Sequence, residues 1–245
     1  MILPMTMIAS TTTPMADTAL YNLLTWMSPA WPIGAFAHSG GLEWAVEAGH
    51  VTNVENCGEW LADLLAHGTL HNDAVLFVHA WRATTDDDRP RLTAVAELAI
   101  AGQTSFERHL EATAQGAAFR RIAIATASDA CLAGLLEGTD DVDLAYPVAA
   151  AVQCACSGVA LEPALTAFLH AAVANLVSAA QRLVPLGQTD GQRLLRDLRP
   201  AVFALVTQAI SLPDDDPFTQ LGSCTLVADL GSMAHETQYT RLFRT

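Results

Sequence analysis

The sequence contains no lysine, and all 12 of its basic residues are arginine. A Walker-type phosphate-binding loop and Schiff-base chemistry both need a lysine side chain, so both are excluded for this chain. The 12 arginines face 26 acidic residues, which gives a formal net charge of −14 and leaves the chain without the basic surface that a nucleic-acid-binding protein needs. If the chain serves a nucleotide reaction, another protein must hold the nucleotide.

Sustained period-two alternation, internal repeats and long flexible linkers are also missing from the sequence. Apolar residues make up 51% of the chain and charged residues only 16%, and alanine, the best helix former, is frequent. These features predict an all-α fold, a single-domain bundle of about ten helices. We expect residues 1–17 to be a disordered or loosely attached tail, residues 18–234 to form the helical domain, and residues 235–245 to be a C-terminal partner-binding tail.

Apolar residues at helical spacing, interrupted by proline, glycine and acidic turns, give the expected helices. Thr104 and Glu107 have the spacing of a capping box, which predicts a helix beginning there. Pro200 should kink or restart the helix that contains it. The predicted helical ranges are 20–27, 39–49, 54–67, 70–82, 90–102, 104–127, the apolar stretch 144–159, a helix after residue 162, 190–211 and 217–233.

The cysteine and hydropathy patterns favour a cytoplasmic protein. Five cysteines are an odd number in a chain too large to need disulfides, so we interpret them as reduced core residues. Residues 163–181 contain no Asp, Glu or Arg, but their high alanine content, together with His170 and Asn175, favours a buried bundle helix over a membrane span. The five cysteines are Cys57, Cys131, Cys154, Cys156 and Cys224.

Two groups of residues have weak metal-binding patterns. His67 and His71 are four residues apart on a predicted helix, with Asp63 one turn earlier, a spacing that lets two imidazoles share a metal ion. Cys154 and Cys156 are the only close cysteine pair, but residues two apart on a helix point to different sides. Ordinary helix-end histidines and core cysteines explain both groups better, and no metal, cofactor or catalytic site is predicted.

The stretch from Ser28 to Glu43 combines a proline turn, glycines and aromatic residues before a helix. It is either a tight loop held against the bundle or a partner-binding loop, and we call it the signature loop. Its candidate structural or interface residues are Pro29, Pro32, Gly34, Phe36, His38, Gly40, Gly41 and Glu43. The C-terminal segment 235–245 joins Tyr, Phe and Arg, the side chains that most often anchor interfaces, and should dock into a partner or back onto its own bundle.

These segments carry a family resemblance. Residues 28–49 resemble the N-terminal signature of the urease accessory protein UreF family, residues 182–188 (RLVPLGQ) resemble its central motif, and residues 235–245 (HETQYTRLFRT) resemble its C-terminal tail. The motifs have the right order and spacing over residues 20–245. The chain departs from common family forms at His38, where an aromatic residue is often found, and at Thr245, which is often serine.

The resemblance implies a non-enzymatic, all-α homodimer that joins the accessory protein UreD (also called UreH) and the GTPase UreG to pass nickel to apo-urease. It places Tyr239, Arg241, Leu242, Phe243 and Arg244 against UreD. It also places Arg182, Pro185 and Gly187 near the dimer or UreG-facing surface. Two alternatives stay open: a helical metal-dependent enzyme with a histidine and carboxylate pocket, and a metallochaperone that binds nickel directly through His67, His71 or cysteines.

Overall fold

A computed structural model describes residues 15–126 and 143–245. Within these ranges the chain forms ten α-helices, two short 3-10 helices and no strand, which confirms the all-α prediction. The 3-10 helices are Ala35–Ala37 and Pro217–Gln220. The α-helices are α1 (Met15–Trp26), α2 (Leu42–Glu47), α3 (Val54–His67), α4 (Thr69–Thr85), α5 (Arg89–Ala101), α6 (Phe106–Thr126), α7 (Tyr146–Cys156), α8 (Leu161–Leu183), α9 (Gln188–Ser211) and α10 (Leu226–His235).

The centre of the bundle is the packing of α4 against α7, most of whose residues are buried. Helices α5, α6 and α8 surround this pair. At one crossing the backbone of Leu144 passes directly over α6 at Gly116, where any Cβ would clash with the Leu144 carbonyl oxygen. Gly116 therefore lets the chain that leads into α7 lie directly against α6.

Helix α8 is the one helix of the described ranges that is long and apolar enough to cross a membrane. Half of its most apolar window is buried inside the protein, where it packs against α3, α4, α7 and α9. These neighbouring helices cover its buried apolar residues, as expected of a helix inside a bundle.

Several predicted helix bounds agree with the structure. Helix α3 has the predicted bounds, and α4, α5 and α9 begin and end within three residues of prediction. Helix α9 continues through Pro200 without the predicted restart. The single helix predicted for residues 217–233 is wrong: a 3-10 turn and α10 are separated by an extended connection, whose Cys224 N–H donates to the carbonyl of His67 at 2.8 Å.

The predicted capping box at Thr104 is also wrong. Ser105 caps α6 by accepting a hydrogen bond from the N–H of Arg108 at 3.1 Å, while the Thr104 hydroxyl donates to Asp229. Glu107 does not reach back to the helix start, because its carboxylate is buried among residues from α10 and the C-terminal segment.

The cysteine prediction is correct for two residues. Cys57 and Cys154 are free and buried, and burial raises the pKa of their thiols to about 11 and about 12. Cys224 is reduced as predicted but is exposed on the extended connection and does not belong to the core. The prediction is wrong for Cys156, which is half-buried at the end of α7 and disulfide-bonded. Cys131, most of the acidic turn 140–143 and residues 1–14 of the predicted tail lie outside the described residues, whereas residues 15–17 belong to α1.

Candidate functional site

In the C-terminal segment, the residues that follow α10 (236–245) fold back onto the bundle of their own chain and pair with the signature loop. The N–H of Arg244 donates to the carbonyl of Ala37 at 2.8 Å, and the N–H of Ser39 donates to the backbone oxygen of Thr245 at 2.7 Å. The Ser39 hydroxyl donates to the same oxygen at 2.9 Å. Of the two outcomes expected for the segment, docking on its own bundle is therefore the one observed in the isolated chain.

Beneath this pairing lies a buried ionic cluster made by Glu43, Glu107 and His235. Nδ1 of His235 is 2.7 Å from Oε2 of Glu107, and Nε2 is 3.0 Å from Oε2 of Glu43. All three side chains are nearly inaccessible to solvent, and His235 is completely so. Because both ring nitrogens face carboxylate oxygens, both contacts are satisfied when the imidazole is protonated and donates from each nitrogen.

The same carboxylates hold the C-terminal segment. Glu43 accepts hydrogen bonds from the N–H groups of Leu242 at 2.6 Å and Phe243 at 2.9 Å. Arg241 donates to Glu107 at 3.0 Å. Hydrogen bonds to ionised acceptors are stronger than neutral ones, so these contacts fix three successive residues of the segment.

Arg182 fastens the segment from the other side. Its guanidinium lies 3.7 Å from the ring centroid of Phe36 and 4.2 Å from that of Phe243, and so contacts the signature loop and the C-terminal segment at once. It also donates to the carbonyl of Phe36 at 2.9 Å. Burial lowers the pKa of Arg182, and aromatic faces are a favourable setting for a weakly hydrated guanidinium.

A second polar chain connects the end of the segment to α6. Nδ1 of His38 is 2.8 Å from the hydroxyl of Thr245, which donates to Glu111 at 3.3 Å. Glu111 in turn accepts from Arg108 at 2.6 Å. Burial lowers the pKa of His38. The two positions at which the chain departs from the common family pattern, His38 and Thr245, therefore contact each other.

Two glycine contacts set the distance between α2 and α10. Gly41 has a φ of +84°, and a Cβ there would press against the backbone of Ser232. A Cβ at Gly231 would clash with the ring of Trp44. The close approach of the two helices at these glycines brings Glu43 of α2 within hydrogen-bonding distance of His235 at the end of α10.

The remaining signature-loop residues are either glycines at turns or exposed side chains. Gly34 and Gly40 have positive φ, which glycine adopts without strain, while Pro29, Pro32 and Phe36 are exposed. Pro185 and Gly187 of the central motif are also exposed, and they lie in the break between α8 and α9.

The C-terminal residues named from the family resemblance divide into exposed and buried ones. Tyr239 is fully exposed and Leu242 is 63% exposed, whereas Phe243 is only 3% exposed because the bundle of its own chain covers it. Arg241 and Arg244 lie at the surface. The docked segment thus presents Tyr239 and Leu242 outward and uses Phe243 as its anchor.

His67 lies close enough to His71 to contribute to lowering the pKa of His71. In the described ranges no three His, Cys, Asp or Glu side chains are arranged to hold a metal ion, and His67 is exposed while burial lowers the pKa of His71. A cavity of about 380 Å³ lies against the signature loop and is lined mainly by apolar residues, and the carboxyl groups of Asp73 and Glu111 are part of its lining. Burial raises the pKa of Asp73 to about 6.

Sequence reasoning missed the roles of Glu107, Glu111 and His235. Glu107 was assigned to a capping box, and His235 was counted as the first residue of a tail. Helical periodicity offered one usable signal for Glu107, since it places a charged residue on the face of α6 that packs inward. Nothing local indicated that the partner of Glu107 would be a histidine 128 residues away.

Comparison with known proteins places these features in a family. The UreF family profile matches residues 51–199, which is more than half of the chain. The chain is 53% identical over 227 residues to the urease accessory protein UreF of Bradyrhizobium sp. (strain ORS 278), covering 92% of each protein. It is 50% identical over 226 residues to the protein of that name from Rhodopseudomonas palustris (strain BisB18), again covering 92% of each. The chain therefore belongs to the UreF family of urease accessory proteins.

Proposed function

We propose that the protein is a cytoplasmic, non-enzymatic scaffold of urease maturation, which binds UreD and the GTPase UreG and supports GTP-dependent nickel insertion into apo-urease. Nickel is the cargo of the assembly in this proposal, and the nucleotide is held by UreG. A lysine-free chain cannot form the phosphate-binding loop itself, which supports this division of labour.

The observation that carries the proposal is the outward presentation of Tyr239 and Leu242 on a segment whose neighbouring residues are fixed. Tyr239 and Leu242 are both exposed, and large apolar and aromatic side chains of this kind are favourable in the core of an interface. Arg241 and Arg244 flank them at the surface. We propose that this surface binds UreD, with Tyr239, Leu242 and the two arginines in contact and Phe243 holding the segment in place.

The break between α8 and α9 is the proposed dimer or UreG-facing surface. Pro185 and Gly187 are exposed there. Arg182 is engaged by two aromatic rings and the carbonyl of Phe36, so we assign it to the support of this surface and of the C-terminal segment. Catalytic assistance to GTP hydrolysis would require the guanidinium to leave these contacts.

The test is co-elution of the full chain with UreD. The double variant Tyr239→Ser, Leu242→Ser should weaken the complex by about 30-fold or more, because residues that anchor an interface contribute more than about 1 kcal/mol each. Phe218→Ser is the matched control, since Phe218 is equally an exposed aromatic residue but lies on the second 3-10 helix. An unchanged complex with the double variant would refute the proposed binding surface.

A further inference from the structure

The C-terminal segment alternates between outward and inward side chains over residues 242–245. Phe243 and Thr245 are buried, whereas Leu242 and Arg244 are exposed. Leu242 and Phe243 are consecutive residues at a bend of the backbone, so the backbone position that buries Phe243 also sets the position of Leu242. Whatever holds Phe243 in place therefore also determines how Leu242 is displayed.

The side chain of Glu43 holds the backbone at Leu242 and Phe243. Its two oxygens accept from two consecutive N–H groups, those of Leu242 and Phe243. The Phe243 N–H is buried, and a buried N–H without an acceptor is costly. No other acceptor is recorded for either N–H group in the described residues, so the docked conformation depends on the Glu43 carboxylate.

A carboxylate can be buried at Glu43 because its charge is balanced. The contacts run from Arg241 to Glu107, from Glu107 to His235 and from His235 to Glu43. With His235 protonated, two cations alternate with two carboxylates and the chain of four side chains is neutral. Buried charges are tolerated when they are paired and hydrogen-bonded in this way.

We propose that Glu43, Glu107 and His235 act as a latch, which fixes residues 241–243 in the conformation that presents Leu242 and Tyr239 to a protein partner. The three are positioning residues, since they act through the segment and do not reach the surface themselves. The link to a partner rests on the proposed function, but the latch itself does not. A segment ordered in advance lowers the conformational entropy lost on binding.

The direct test is hydrogen exchange of the Leu242 and Phe243 amides in the full chain without any partner. In Glu43→Gln the amide group presents an NH₂ donor where a second acceptor is needed, so both amides should exchange about ten-fold faster or more. His235→Gln should have the same effect, because it removes the cation between the carboxylates. Glu236→Gln is the matched control, since Glu236 is the exposed neighbour of His235. In this control the Leu242 and Phe243 amides should exchange within about two-fold of the wild-type rate.

Amides of α4, such as those of Val75 and Phe77, monitor global folding in the same measurement. If they also lose protection in Glu43→Gln, Arg241→Gln replaces it, because Arg241 is partly exposed and touches only the outer end of the latch. That variant should raise exchange at Leu242 and Phe243 by about two-fold or more. Wild-type exchange at both amides in the folded variants would overturn the latch.

Partner binding separates this inference from the proposed function. Glu43→Gln should weaken UreD binding by about ten-fold while leaving Tyr239 and Leu242 chemically intact. Faster exchange with unchanged UreD affinity would overturn the coupling between latch and partner. If the Tyr239 and Leu242 substitutions leave the complex intact while Glu43→Gln still speeds exchange, the proposed function fails and the latch stands.

Discussion

Two histidines of this protein are completely buried, and their surroundings are opposite. His79, on α4, has Nε2 2.8 Å from the side-chain oxygen of Gln220 and Nδ1 3.3 Å from a guanidinium nitrogen of Arg91. His235, at the end of α10, has a carboxylate oxygen beside each ring nitrogen. Arg91 can only donate, so Nδ1 of His79 must accept, which requires the neutral ring.

The comparison shows that burial alone does not determine what a histidine does. Burial lowers the pKa of His79, and a neutral ring suits a site whose neighbours are an amide and an arginine. His235 instead lies where two buried carboxylates need a cation between them. The first histidine is a packing residue that forms hydrogen bonds, and the second completes a charged cluster that holds the C-terminal segment.

The largest expected effect comes from removing the second histidine. His235→Leu leaves the Glu43 and Glu107 carboxylates buried without the cation between them, and should lower the free energy of unfolding by about 3–5 kcal/mol. Urea unfolding followed by circular dichroism measures this change. A loss below about 1 kcal/mol would mean that the carboxylates are not ionised partners of His235.

His79→Leu should have a smaller effect. The two residues that contact His79 keep other hydrogen-bond partners when the imidazole is removed. Gln220 is half-buried and can bind water, and Arg91 remains paired with Asp214. We expect a loss of about 1–2 kcal/mol, measured by the same unfolding experiment. If this substitution destabilised the protein as much as His235→Leu, the contrast between the two sites would be refuted.

The sequence predicted the framework better than the site. Apolar residues at helical spacing predicted α3 to the residue, since every position of a helix adds to the same local pattern. The signature loop and C-terminal segment were also singled out from local composition. What local pattern could not give was the pairing of Glu43 with Leu242 and Phe243, which are about 200 residues away.

The errors in the sequence prediction have a common physical cause. Thr104 and Glu107 fit a capping box, and Leu226 continues an apolar pattern that begins at Pro217, but tertiary contacts outweighed both local preferences. Glu107 contributes more to the fold by pairing with His235 than a surface cap would contribute, because charged hydrogen bonds in a buried site are strong. The hydrogen bond from Cys224 to His67 likewise holds residues 221–225 out of a helix.

The smallest expected effect is the part of the pH dependence of stability that comes from His79. In the unfolded chain His79 takes up a proton as the pH falls through its ordinary pKa of 6.5, whereas in the folded protein burial lowers this pKa and the ring stays neutral. The unfolded state then binds more protons, so the stabilisation from neutral His79 is complete above pH 6.5 and declines as the pH falls below it.

The variant His79→Gln lacks this dependence, while His38 and His71, whose pKa values are also lowered, contribute equally to both proteins. Unfolding free energies measured between about pH 7.5 and pH 5.5 should therefore fall more in the wild type than in His79→Gln, by about 1 kcal/mol or less. An equal fall in the two proteins would show that folding does not lower the pKa of His79, and would contradict the assignment of a neutral ring held by burial.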